Sequence, residues 1–398
     1  MLWSFAYFFC LLAGYYILRP LRDEMGVAGG VRNLQWLFTA TFLVMLAAVP
    51  LYGALVARLP RRRFVPLVYH FFVGNLAIFW LLLTLDVERL IVARVFFVWI
   101  SVFVLFAVSV FWSFMADLYS SEQSKRLYGF IAAGGSAGAL VGPALTIGLV
   151  QWIGATNLLI LAALLLEIAA FCAMRLEVKN NLSKAEAPVG GGAIDGIKMV
   201  LRSPYIAGIT LWVSLLSVAA TFLYFEQAAI VAAASDDPAV RTRIFATVDL
   251  AVGLLTLALQ FFATGKLIAR FGVGAALALL PLVFAAGFAV LAASPVLLVV
   301  IAFQALQRTA NFAISNPARE VLFTVLARDE KYKAKNVIDI VAVRGADAAG
   351  GWAFTALRSL GMEVRSIPLV AIGLAAACFV LAVALGRAHE RRARSAGL

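Results

Sequence analysis

Apolar runs of roughly twenty residues recur from one end of this chain to the other, and each is long enough to cross about 30 Å of hydrocarbon as a helix. Twelve such spans can be read, near 1–20, 34–57, 64–85, 90–116, 127–151, 155–176, 205–233, 243–264, 273–293, 295–316, 335–357 and 366–386. The two thinnest separations, 151–155 and 293–295, leave a range of ten to twelve. With 64% of residues hydrophobic, 14% charged and a mean hydropathy of +0.97, nothing remains for a soluble catalytic domain. An all-α integral membrane protein is the expected fold class.

The net charge of +12 suggests nucleic acid only until its placement is examined. Arg58, Arg61, Arg62 and Arg63 follow the second span, and Lys125 and Arg126 follow the fourth. Lys179, Lys184, Lys198 and Arg202 follow the sixth, Lys266 and Arg270 the eighth, Arg328, Lys331 and Lys333 the tenth, and Arg387, Arg391, Arg392 and Arg394 close the tail. All are even-numbered connections, so the positive-inside rule puts both termini in the cytoplasm; eight lysines against 25 arginines and an alanine-rich composition suggest a bacterium, whose inner membrane is the expected location. The basic loops meet anionic lipid, and no nucleic-acid partner is expected. The first span lacks a basic leader and a small-x-small cleavage site, and is read as a mature helix.

Cys10, Cys172 and Cys378 fall in different spans with neither disulfide nor metal spacing, and His70 and His389 are too far apart for a metal site or a catalytic dyad. No GxxxxGK loop and no nucleophile elbow is present. The expectation is therefore a protein without enzymatic activity, cofactor or metal.

The two halves echo each other. Adding 208 carries Arg58 and Arg62 onto Lys266 and Arg270, Glu122 and Lys125 onto Glu330 and Lys333, Tyr16 onto Tyr224, and Gly138 onto Ala346. Between the halves, 178–203 is polar, holds Pro188 and three consecutive glycines, and ends in the amphipathic run AIDGIKMVL. A six-helix bundle over 1–177, a cytoplasmic linker over 178–203 and a second bundle over 204–398 resemble the layout of major-facilitator-type transporters. In that layout the solute lies near the midplane between two rocking bundles. The run GGSAGALVGP in the fifth span resembles their glycine-rich fifth helix, where small side chains permit close packing.

Charges inside the spans are costly and are commonly retained for function. The first span ends in YYILRPLRDEMG; if its helix continues past Pro20, Arg19, Arg22 and Asp23 share a face. An interfacial cap is the alternative. The repeat partner LYFEQA puts Glu226 inside the seventh span, and opposite signs in the two halves suit a gate or a site for an anionic or zwitterionic solute. Asp117 ends the fourth span, Asp249 lies about one third along the eighth, and Glu167, near the centre of the sixth, has no evident role. Arg308 and Asn311 share a face of the tenth, and Arg344 and Asp347 a face of the eleventh, where the pair can simply neutralise itself. Asp339, eight residues before Asp347, is expected on roughly the same side, giving two acids for one arginine.

The wording becomes more specific from the fourth span onward. WSFMADLYSSEQSKRLYGFIAAGGSAGALVGP and NPAREVLFTVLARDEKYKAKNVIDIVAVRGADAAGG resemble helices 4–5 and 10–11 of the ATP/ADP translocase family, nucleotide transporters of plastids and intracellular bacteria. YYILRPLRDEMGV resembles that family's first helix. The resemblance implies nucleotide exchange, with Arg22, Asp23 and Asp117 keeping the family's character. Asn311 and Asp347 stand where nucleotide-exchanging members are expected to carry lysines, which weakens a polyphosphate site by charge repulsion. The expected function is secondary active transport of a small charged solute, a nucleotide or a related organic anion or zwitterion. Arg19, Arg22, Asp23, Asp117, Arg308, Asn311 and Arg344 are the candidate binding residues. Glu226, Asp249, Asp339 and Asp347 are candidates for proton coupling or gating. A proton-driven exporter of amphipathic compounds and a non-transporting scaffold or sensor are the alternatives. A monomer is expected, because one chain supplies both bundles.

Overall fold

Every apolar run becomes helix, because in lipid a spanning backbone must satisfy its own amides and a helix does so within one segment. The computed structural model describes residues 1–58, 61–177, 193–262, 264–327, 330–331, 334–335, 337–363 and 365–395, and no strand occurs among them. The first half contains α1 (Leu2–Ala28), α2 (Leu34–Arg58), α3 (Arg61–Thr84), α4 (Arg89–Leu118) and α5 (Ser121–Glu177). The short α6 (Ala193–Arg202) is the amphipathic run expected at the end of the linker, of which 178–192 lies outside the described residues. Then come α7 (Pro204–Ala234), α8 (Pro238–Phe262), α9 (Thr264–Ala293) and α10 (Leu297–Ala310). A π-helical turn, Asn311–Ser315, leads into α11 (Asn316–Leu322), and a second, Val337–Ala342, leads into α12 (Val343–Ser359); α13 (Ile367–Ser395) closes the chain.

Among the described residues, ten helices are long and apolar enough to cross a membrane. Two departures from twelve have local causes. The helix α5 has 57 residues, about 85 Å at 1.5 Å per residue, far more than a bilayer needs. Gly154 interrupts it at φ 78°, ψ 160°, inside the thin separation read at 151–155; only glycine adopts that backbone without strain. The expected eleventh span is helical but is absent from the ten: it opens on a π turn, and α12 has only 17 residues. The tenth span runs further than expected, from Leu297 to Val325 instead of stopping at 316, because Pro317 occupies the first turn of α11, where it costs no hydrogen bond.

The chain packs as two compact units, one of Met1–Val31, Leu43–Pro188 and Ser235–Gly253, the other of Arg32–Phe42, Val189–Ala234 and Leu254–Leu398. In the first, α1 lies along α5 over an aromatic core. Phe8 stacks on Phe111 with ring centroids 4.1 Å apart, and Tyr7 donates a hydrogen bond to the Tyr69 hydroxyl at 2.5 Å. The small residues of GGSAGALVGP meet α1 as the sequence implies. A Cβ on Gly142 would lie 2.7 Å from the Ala13 carbonyl oxygen and 2.8 Å from the Tyr16 Cβ. In the second unit the α2 start packs on α12: the Trp352 indole donates to Thr39 Oγ1 at 3.0 Å, and Gly351 lies under Gln35.

Close approach at Gly142 makes a side chain there a wedge between two helices. Gly142→Val should destabilise the protein by about 1–3 kcal/mol. Gly148→Val, on the same helix with nothing within 4 Å of its Cβ position, should leave the melting temperature in detergent nearly unchanged. Equal losses in the two variants would count against this packing.

Candidate functional site

Two ion pairs join the end of α1 to the first half of α8. Arg19 Nη1 lies 3.1 Å from Asp249 Oδ1, and Arg241 Nη2 donates to Glu24 Oε1 at 2.8 Å. The acids are almost wholly buried, with side-chain exposures of 1% for Asp249 and 2% for Glu24. The helix runs through Pro20, the condition for Arg19, Arg22 and Asp23 to share a face. Asp23 is held by its neighbour Arg22, with Nη2 at 2.9 Å, while the Arg22 guanidinium also lies 4.8 Å from the centre of the Phe97 ring. Asp249 presents Arg19 with a carboxylate from another helix, leaving Asp23 to the adjacent cation.

The sequence reading missed Glu24 and Arg241 because the eighth span was started at 243. The helix starts five residues earlier, at Pro238. Asp237 accepts a hydrogen bond from the Ala239 amide at 2.8 Å, so Asp followed by Pro was a readable helix start.

A second constellation lies within the other unit, around a cavity of about 270 Å³. Asn311 from the first π turn and Asp339 from the second both line it, together with Arg319 of α11. Arg319 Nη1 is 3.0 Å from Asp339 Oδ1. This corrects the expectation that Asp339 and Asp347 compete for Arg344. A π turn follows a different angular step from the α-helix, so counting eight residues at the α period misplaces Asp339. Asp347 instead closes on Arg344 at 3.3 Å and accepts a hydrogen bond from Ser217 Oγ at 2.7 Å; Ser217 itself lines the cavity. Arg308 and Asn311 are also separated in role, since Arg308 is not among the cavity-lining residues. Trp212, Gln307 and Arg319 were not singled out as site residues; their apolar or loop-like sequence surroundings gave no periodic sign of a polar pocket.

Three further acids fall elsewhere. Glu226 on α7 is 1% exposed, and its carboxylate oxygens have no hydrogen-bond partner among the described residues. Asp117 sits one residue before the end of α4, half-buried, at the helix-end position anticipated. Glu167, which the sequence left without a role, lies 3.7 Å from His70 Nδ1 of α3, with both side chains about half exposed. Among the described residues no group of three metal-ligating side chains occurs.

A multi-pass helical membrane protein with ion pairs and a polar cavity among its apolar helices has the construction of a solute transporter. The Major Facilitator Superfamily model matches residues 3–235, and the chain belongs to that family. Among solved structures it is similar in fold to a mutant form of the nucleoside transporter NupG, at a TM-score of 0.71 and 12% identity, over 96% of this chain and 98% of that one. It is similar to the POT family transporter PepTSo at a TM-score of 0.71 and 11% identity, over 98% of each chain. A bacterial homologue of the human lysosomal transporter Spinster, inward-facing and unoccupied, matches at a TM-score of 0.57 and 15% identity, over 98% of this chain and 97% of that one. No curated protein matches the sequence.

Removing one member of a buried ion pair leaves the other charge unpaired, at about 3–5 kcal/mol. Glu24→Arg and Arg241→Glu alone should each lower the melting temperature markedly. The double exchange, which restores opposite charges across α1 and α8, should recover most of the loss. A double variant no better than the worse single one would argue against the pairing.

Proposed function

We propose that this protein is a secondary active transporter that moves a small charged solute across the bacterial inner membrane by alternating access, with both termini cytoplasmic. The observation that carries the reading is the pair of ion bridges between α1 and α8. They tie α1 to a helix more than 200 positions further along the chain, within one compact unit, and they lie among apolar helices where unpaired charge is costly. Pairs of this kind have two stable conditions, joined or separated and solvated, which is what a gate requires. Glu226, buried and without a hydrogen-bond partner among the described residues, is the proposed holder of a coupling proton. The monomer is the proposed working unit.

The resemblance to ATP/ADP translocases and the similarity in fold to a nucleoside transporter support a nucleotide or nucleoside as one solute to test. The ion pairing favours something of lower charge. Arg19, Arg22, Arg241, Arg319 and Arg344 each already face an acid, so none is set aside for polyphosphate. A second reading, export of amphipathic compounds, is favoured by an apolar groove of about 780 Å³ lined by Phe71, Phe72, Trp99 and Phe106.

Reconstituted vesicles separate these readings. Labelled ATP with ADP inside should show trans-stimulated uptake if nucleotides exchange. Uptake of a small organic anion or zwitterion driven by a proton gradient supports the broader reading. Asp249→Asn should then alter exchange by more than roughly tenfold, because it removes most of the electrostatic preference for the joined state. Glu226→Gln should abolish the dependence of uptake on the proton gradient. Vesicles that move no solute in either format would refute transport.

A further inference from the structure

Two π-helical turns border the same small cavity. Such turns are well under 1% of residues in soluble proteins and gather at functional sites, because the extra residue re-aims the side chains around it. Here Asn311–Ser315 brings the Asn311 amide and the Ser315 hydroxyl to the cavity, and Val337–Ala342 brings the Asp339 carboxylate. The Arg319–Asp339 contact at 3.0 Å ties the segments that follow and contain them. The irregular backbone and the polar lining therefore coincide.

Two residues that line the cavity each carry a buried hydrogen-bond donor without a partner among the described residues, and a guest reaches them once the side chains turn. The Trp212 indole N–H is buried, with the residue 1% exposed, and has no partner among the described residues; the same holds for Arg319 Nε. A buried donor left unmatched costs about 1–3 kcal/mol, so a wall keeping two of them is suited to a guest that accepts. Asp339 has capacity left as well: its side chain is 44% exposed and one of its oxygens meets Arg319. The charges lining the cavity sum to zero, one arginine against one aspartate, so a guest with net charge would find no net countercharge there. A guest carrying both signs would not. The volume, about 270 Å³, equals that of about nine waters at roughly 30 Å³ each, which suits a compact solute better than a nucleotide.

We infer that this cavity binds a small zwitterion, a solute with a carboxylate and an ammonium group on one compact frame. The carboxylate takes the N–H groups of Trp212 and Arg319, and the ammonium takes Asp339. The amides of Gln307 and Asn311 accept or donate to whatever polar group lies between them, while Leu280 and Phe284 supply an apolar wall. The inference rests on the reading of the chain as a solute transporter and names the class of solute it takes.

The test uses the full chain, purified and reconstituted, with amino-acid zwitterions as probes. Nucleosides, simple carboxylates and simple amines serve as comparison sets, and binding is read by thermal shift and by labelled-ligand retention. Zwitterions should bind the unmodified protein. Trp212→Phe removes the indole donor together with part of a buried ring, so its melting temperature is measured beside binding, which should be about tenfold weaker in protein that still unfolds cooperatively. Asn311→Leu, which fills polar space with an apolar branch, should abolish binding. Zwitterion binding unchanged in both variants would place the site elsewhere and overturn the inference. So would binding of nucleosides or simple carboxylates, and not of zwitterions, with the same sensitivity to both variants. Vesicle uptake of another solute without any zwitterion binding would overturn the inference and leave the transport reading standing, whereas no uptake of any solute would remove both.

Discussion

Charge on a helix surrounded by hydrocarbon has to find its opposite inside the protein, and that requirement organises most of what is polar in this chain. Arg19, Arg22, Arg241, Arg319 and Arg344 are each within reach of a carboxylate. Arginine suits the task because its planar fork is weakly hydrated and can engage more than one acceptor or an aromatic face. Arg22 uses both options, with Asp23 on one side and the Phe97 ring on the other. The pairing between α1 and α8 is the consequential one. It spends two acids and two cations on one helix contact, where apolar side chains of the same volume would hold as well or better. Pairs of this kind are poor glue and good switches.

Helix periodicity predicts the partners of these charges only while the helix is regular. Arg344 and Asp347 meet as their three-residue spacing requires, because both lie in α12. Asp339 does not join them, because a π turn lies between the loop and that helix. Asn311 and Arg308 part company for the same reason, the helix changing character at Asn311. A sequence offers no simple signature for a π turn: the residues VIDIVA and NFAIS are as compatible with an α-helix. The cavity was therefore invisible to pattern reading even though Asp339 and Asn311 were not.

The apolar spans, the glycine-rich packing of the fifth and the break near Gly154 were legible, because each follows from a local rule about length, side-chain size or backbone freedom. The Arg344–Asp347 contact followed from spacing alone. What stayed hidden was long-range. Arg19 and Asp249 are 230 positions apart, and no periodicity within one segment links them. Glu24 and Arg241 were hidden for a more modest reason: a boundary drawn at 243 left Arg241 outside the helix, although Asp237 and Pro238 marked its start.

The two constellations differ in how open they are. At α1 and α8 each carboxylate is almost wholly buried against an arginine from the other helix, so further interaction needs the contact to break. Around the cavity, Trp212 and Arg319 keep donors unused and Asp339 keeps exposed surface. Function in a transporter needs both: a place that holds the solute and a joint that opens when holding it changes the balance. Glu226 belongs to neither group. It is an acid buried on α7 with no hydrogen-bond partner among the described residues, beside Gln227, whose amide oxygen accepts a hydrogen bond from Gln304 at 2.8 Å. The neighbouring amide is satisfied and the carboxyl is not, so the adjacent polar network was built without drawing the acid into it. That separation is what supports the proposal of Glu226 as the holder of a coupling proton.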